Sequence, residues 1–177
     1  HPYLTNDEDI PFSMLLALSN RKEEDIIKEI EENYKLLSKK FSNKNDMQSL
    51  SNILAVSNIK SEEKVNKVFE IYDLLKQNKK KCGGFGIEFL AVLALIDKSS
   101  EDIVSEIIEV DEYLSHQKEL KLWPFGKTSR LFFAYLLVAM TNIETNSIVN
   151  CSIMATTLSS IIAEDIATFL IIFDCSY

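Results

Sequence analysis

Glycine and proline are scarce in this chain of 177 residues, which has four of the first and three of the second. Tight turns, strand bulges and glycine-rich phosphate loops all consume glycine, so the scarcity argues for long helices joined by short polar loops. Arginine is scarcer still, with Arg21 and Arg130 alone. The guanidinium grips phosphate or carboxylate through two parallel hydrogen bonds, so its near-absence weighs against an enzyme for anionic substrates. The cysteines, Cys82, Cys151 and Cys175, are odd in number, widely spaced and form no C-x-x-C pair, which points to neither a disulfide framework nor a zinc site. A reducing, cytoplasmic location fits that pattern. His1 and His116 lack neighbours at metal-ligand spacing, and His116 reads as a solvated helix end. With Lys and Arg at 19 against Asp and Glu at 27, the formal charge of -8 excludes a broad nucleic-acid footprint, which needs clustered cations to displace phosphate counterions.

What the chain has in quantity is hydrophobic residues, 46% of the total, arranged in a repeating pattern. Leu15-Leu16-Ala17-Leu18-Ser19 returns as Ile53-Leu54-Ala55-Val56-Ser57 and again as Val92-Leu93-Ala94-Leu95-Ile96. Behind each copy runs an acid-initiated segment with apolar residues at three-to-four spacing: Ile26, Ile27, Ile30, Tyr34 and Leu37 in the first, Val65, Val68, Phe69, Tyr72 and Leu75 in the second. A shift of 38 places Ile30 on Val68 and Leu37 on Leu75, and a shift of 39 places Val68 on Ile107 and Leu75 on Leu114. Repeat lengths of this size belong to α-helical arrays, whose hairpins bury their apolar faces against neighbouring copies. The expected fold is therefore all-α, a single domain of stacked antiparallel helical hairpins with about eight helices. The hairpin units span about 9–44, 45–82, 83–120 and 127–175, with the second opening on Asn45 or Asp46 as helix cap. Lys79-Lys80-Lys81 reads as a solvated helix terminus, stopped by Gly83-Gly84, and Ala55 as a close-packing point between helices. The last segment, from about Thr145 to Phe173, is apolar nearly all round, but Glu164, Asp165 and several polar residues interrupt it, so a buried helix is expected and no membrane span.

Few residues are placed for chemistry. Asp7-Glu8-Asp9 is the one carboxylate cluster that could hold a hard cation, yet it lacks the alternating ligands and glycine of a calcium loop and reads as a helix cap. Gly83-Gly84-Phe85-Gly86 follows no strand and completes no phosphate-binding pattern. Trp123, Pro124 and Phe125 break the repeat in a connector, and a rigid loop presenting aromatics can anchor a partner or plug the core. No cofactor is expected.

The opening His1-Pro2-Tyr3-Leu4-Thr5 with Glu8-Asp9, the helix ending in Tyr34-Lys35-Leu36-Leu37, and Val110-Asp111-Glu112-Tyr113-Leu114 with Phe125-Gly126-Lys127 together resemble a bacterial family, the domain of unknown function 4003 family, typical of Firmicutes. The resemblance covers essentially the whole chain. It implies that the chain corresponds to the C-terminal portion of longer members, in keeping with a start at His1 rather than Met. No activity comes with it. The chain departs from the Ala- and Gln-rich final helix of the family at Ile161-Ile162-Ala163-Glu164-Asp165-Ile166-Ala167.

The functional expectation is a non-enzymatic helical repeat module that binds a protein or peptide in a groove between hairpins. The alternative is a metal- or ligand-dependent enzyme domain whose site is shared with missing upstream sequence and includes Asp7, Glu8 or Asp9. A third is a structural subunit that forms a homo-oligomer.

Overall fold

The computed structural model describes residues 21–80, 87–117 and 126–142, with the backbone alone for 126–129. Within them all regular structure is helical: α1 (Glu23–Leu37), α2 (Lys44–Leu54), α3 (Ser61–Gln77), α4 (Phe89–Ala94), α5 (Ser100–His116) and α6 (Gly126–Asn142). The helices expected before Ser19 and after Thr145 lie outside the described residues.

Local chemistry sets the boundaries. Glu23, Glu24 and Asp25 open α1 at the positive end of its dipole, and Lys35 closes it at the negative end. The cap of α2 is Asn43, which corrects the expected Asn45 or Asp46. Its Oδ1 accepts from the Asn45 amide at 3.0 Å and the Asp46 amide at 3.5 Å, so the residues expected to cap are the ones being capped. At the other end of α3 the chain turns at Lys79 with a φ of 57°, ahead of the expected glycine pair. The Lys80 amide donates to Leu75 at 2.9 Å and the Lys79 amide to Lys76 at 3.0 Å, the two bonds of a left-handed helix ending.

Periodicity decides what each helix buries. In α1, Ile26, Ile30, Asn33 and Leu37 face inward, while Ile27 and Tyr34 are half-buried at the flanks. In α3 the inward set is Lys64, Val65, Val68, Ile71 and Leu75, and in α5 it is Ile103, Val104, Ile107 and Asp111. The short α4 is buried at all six positions, with α2, α3 and α6 packed around it. A helix without a polar face has no stable place but the middle of a core. Phe89 of α4 meets Phe132 of α6 edge-on, with ring centroids 5.2 Å apart. α1 packs on α2 and α3, α3 on α5, and α5 on α6. Ile26 and Ile30 form a smaller cluster with Ala55, which is wholly buried just past α2. Among the described residues no helix is long and apolar enough to cross a membrane.

Candidate functional site

A helix leaves its last carbonyls without intrahelical partners, and in a short helix these form a large share of the backbone. Behind α2 they are met by two cations. Lys64 Nζ donates to Leu54 O at 2.7 Å, to Ser57 O at 3.2 Å and to the Glu29 carboxylate. Arg21 donates through Nη1 to Ala55 O at 2.8 Å and through Nη2 to Glu29. Glu29 thus lies between a guanidinium and an ammonium, and the three residues tie α1, the α2 end and α3 together. The Lys64 side chain is fully buried, and its desolvation pushes its pKa below the ordinary lysine value, against the opposing pull of Glu29. An ammonium has three N–H bonds, and all three are engaged here, so Lys64 is a structural cation rather than a nucleophile.

Directly beside this cluster lies an open cleft of about 420 Å³. One wall is a stripe of α1, made by Asp25, Lys28, Glu29 and Glu32, with Arg21 just ahead of the helix. The facing wall is the turn between α2 and α3 with the first residues of α3, from Asn58 to Glu62. Arg21, Lys28 and Lys60, with Lys64 behind the wall, make four cations against the four carboxylates of Asp25, Glu29, Glu32 and Glu62. Lys60 occupies the cap position of α3 without a side-chain capping bond, which leaves the first-turn amides of that helix without one. Ser61 follows it, only 7% exposed, and its hydroxyl makes no hydrogen bond to a described residue.

The register of the sequence repeat supplies a comparison within the molecule. Ser61 corresponds to Ser100 at the 39-residue shift, and Glu32 to Glu70 at the 38-residue shift. Ser100 Oγ donates to Glu70 Oε2 at 2.7 Å and closes the contact between α3 and α5. Between α1 and α3 the same pair, Glu32 and Ser61, lines the cleft unbonded.

A second buried charge lies at the other end of the described fold. Asp111, with a side chain 3% exposed, accepts from Arg130 Nε at 2.6 Å, from Arg130 Nη2 at 3.4 Å and from Lys80. Burial alone would raise its pKa. The hydrogen bonds and charges of Arg130 and Lys80 outweigh that and hold it below the ordinary carboxylate value. The reading of Lys79-Lys80-Lys81 as a solvated terminus is corrected for Lys80, which crosses to α5 because a buried carboxylate there needs a counter-ion. Lys79 is exposed, as expected.

The residues singled out in the sequence fare unevenly. Asp7, Glu8, Asp9, Trp123, Pro124, Phe125, the Gly83-Gly84-Phe85-Gly86 stretch and all three cysteines lie outside the described residues. Glu23, Glu24 and Asp25 are exposed in the first turn of α1, and Glu101 and Asp102 in that of α5, where Ser99 Oγ accepts from the Asp102 amide at 3.1 Å. His116 is an exposed helix end. Sequence reasoning missed Arg21, Glu29, Ser61, Lys64 and Asp111. A signal for two of them existed: Lys64 falls in the slot of Ile26 and Ile103, and Asp111 in the slot of Tyr72, so each sets a charge within an apolar stripe.

The described fold and cleft define an all-helical domain whose internal charges serve to fasten helix ends. The chain belongs to the family described as Protein of unknown function (DUF4003), whose model matches residues 1–167. Comparison with curated proteins gives no match, and neither does comparison with solved structures.

Proposed function

We propose that the chain is a non-enzymatic helical repeat module of stacked hairpins, about eight helices in all, that binds a protein or peptide in the cleft between α1 and the α2–α3 turn. The observation that carries this reading is the state of the charged groups at the cleft. Lys64, Glu29 and Arg21 are bound to one another and to backbone carbonyls, so they shape a wall and are not poised to move protons or attack a substrate. The wall is polar and the cleft is open to solvent, which suits a peptide segment better than an enclosed small molecule. The repeat supports the same reading, since Val68 and Ile107 are buried at matching positions, as are Ile30 and Leu37 against Val68 and Leu75.

Two measurements test it together. Random peptides selected against the chain are expected to yield binders that lose affinity on Lys28→Glu. A thermal-shift panel of divalent cations and metabolites is expected to leave Tm unmoved, because only a bound ligand stabilises by mass action. Stabilisation by a metabolite, with no peptide selected, would overturn the proposal.

A further inference from the structure

Resting on the peptide-binding reading above, we infer that the cleft captures the carboxyl terminus of its partner: the terminal carboxylate is received by the Ser61 hydroxyl and the uncapped start of α3, and N–H groups of the partner by Glu32. Ser100 and Glu70 satisfy each other at 2.7 Å, whereas Ser61 and Glu32, in the same register one repeat earlier, flank an open cleft. Ser61 is only 7% exposed as a residue, and what its hydroxyl can reach is the cleft, where a ligand oxygen can take the place of water as its acceptor.

The surroundings specify the ligand oxygen further. The α3 start adds backbone amides and the positive end of a 17-residue helix. Lys60 stands at that same start, and Arg21 is held from behind by Ala55 O and Glu29, so its guanidinium is fixed in place beside the cleft. These groups favour an anion, against the opposing charge of Glu62 and Glu63 in the same first turn of α3. Across the cleft Asp25 and Glu32 favour a cation or N–H donor, and the lining carries three cations, Arg21, Lys28 and Lys60, against the four carboxylates of Asp25, Glu29, Glu32 and Glu62. An isolated anion such as phosphate meets repulsion from the acidic stripe, and a polycation meets repulsion from the lysines. A chain end offers both, a carboxylate followed by backbone N–H groups, and end capture of this kind is a recurrent mode of peptide recognition.

The experiment uses the full chain and two libraries of random heptapeptides, one displayed with a free carboxyl end and one with that end fused to a carrier. Binders are expected from the free-end library. Synthesised with an amidated terminus, they should bind at least about tenfold more weakly, as expected for loss of a charge-assisted hydrogen bond. Ser61→Ala and Lys60→Glu should each weaken the free-acid peptide, whereas Ser100→Ala, the same substitution one repeat on, should leave its affinity unchanged. Melting curves on each variant separate lost binding from lost fold. Equal affinity for acid and amide forms, or full affinity in Ser61→Ala, would overturn the end-capture inference while leaving peptide binding intact. Failure of both libraries would remove the peptide-binding reading itself.

Discussion

Lys64→Met is the sharpest perturbation of this fold, because methionine keeps the unbranched bulk of lysine and removes only the charge and its donors. Three groups lose a partner. Leu54 O, in a fully buried residue, and Ser57 O, in a half-buried one, are left short of a donor, and Glu29 keeps Arg21 alone. Removing one partner of a buried ion pair costs about 3 to 5 kcal/mol. The lower end applies here, since the Glu29 side chain is 13% exposed and retains its guanidinium. A loss of about 3 kcal/mol in a domain of this size lowers Tm by about 6 to 12 °C. Glu29→Gln should be milder, and the double variant should fall short of the sum of the singles by about 1 kcal/mol or more, because the second substitution removes a charge already deprived of its partner. Thermal melting followed by circular dichroism reads all three, with urea titration as a check on the slope. A Lys64→Met protein that melts within about 2 °C of the parent, or a strictly additive double variant, would refute the reasoning.

Three further outcomes follow from the same kind of argument. The folded-state pKa of Asp111 lies below the ordinary 3.8, so its ion network contributes fully above about that pH and is lost as pH falls further. Acid melting should therefore be steeper in the parent than in Asp111→Asn, and equal slopes would count against the network. Lys79 holds a left-handed φ of 57° that a β-carbon disfavours, so Lys79→Gly should stabilise by about 0.5 to 1 kcal/mol, read as a raised urea midpoint. Ala55 is wholly buried against Ile26 and Ile30, so Ala55→Leu should overpack that contact and cost about 1 to 3 kcal/mol; an unchanged Tm would mean the small residue has no packing role.

The helical class was legible because it rests on periodicity and on scarce glycine, and both act locally. The buried stripe of α3 keeps Val65, Val68 and Leu75 of the expected spacing, with Phe69 and Tyr72 half-buried at its flanks and Lys64 and Ile71 facing inward besides. α1 departs from it: Asn33, in the slot of Ile71, is buried with its Nδ2 only 3.4 Å from Ser51 O and its Oδ1 without a partner among the described residues. Polarity alone would have placed Asn33 outside. The cleft was not legible for a related reason. Arg21, Glu29 and Lys64 are separated by 8 and 35 residues, and nothing in the sequence states that α1 and α3 bring them to one α2 end. A charged residue on a helix is usually solvated, and only its coincidence with an apolar repeat position distinguishes Lys64. The cap at Asn43 was missed by two residues because asparagines and an aspartate cluster there, and any of them satisfies the sequence rule.

The two helix junctions are fastened by different cations. Ile96, past the end of the short α4, receives Lys67 from α3 on its carbonyl, and Lys67 is pushed below the ordinary lysine pKa by that burial against the pull of Asp97. In the repeat register Ile96 corresponds to Ser57 and Lys67 to Glu29. The earlier junction therefore carries an acid where the later one carries the lysine, and an acid cannot donate to a carbonyl. The carbonyl at Ser57 is served instead by Lys64 from within α3, and Glu29 becomes the acceptor that joins Lys64 to Arg21. One exchange of sign at Glu29 thus reverses the direction of the fastening. At the later junction the lysine of α3 reaches across to Ile96 O and Ser100 bonds Glu70; at the earlier one Lys64 serves the carbonyls from within α3, and Ser61 and Glu32 line the cleft unbonded. Glu29→Lys paired with Lys64→Ile would restore the wiring of the later junction. It should close Ser61 onto Glu32 and abolish peptide binding, at a cost in stability from Arg21, which loses its carboxylate and gains a cationic neighbour. A double variant that still binds its selected peptide at parental affinity would break the link between the sign at Glu29 and the opening of the cleft.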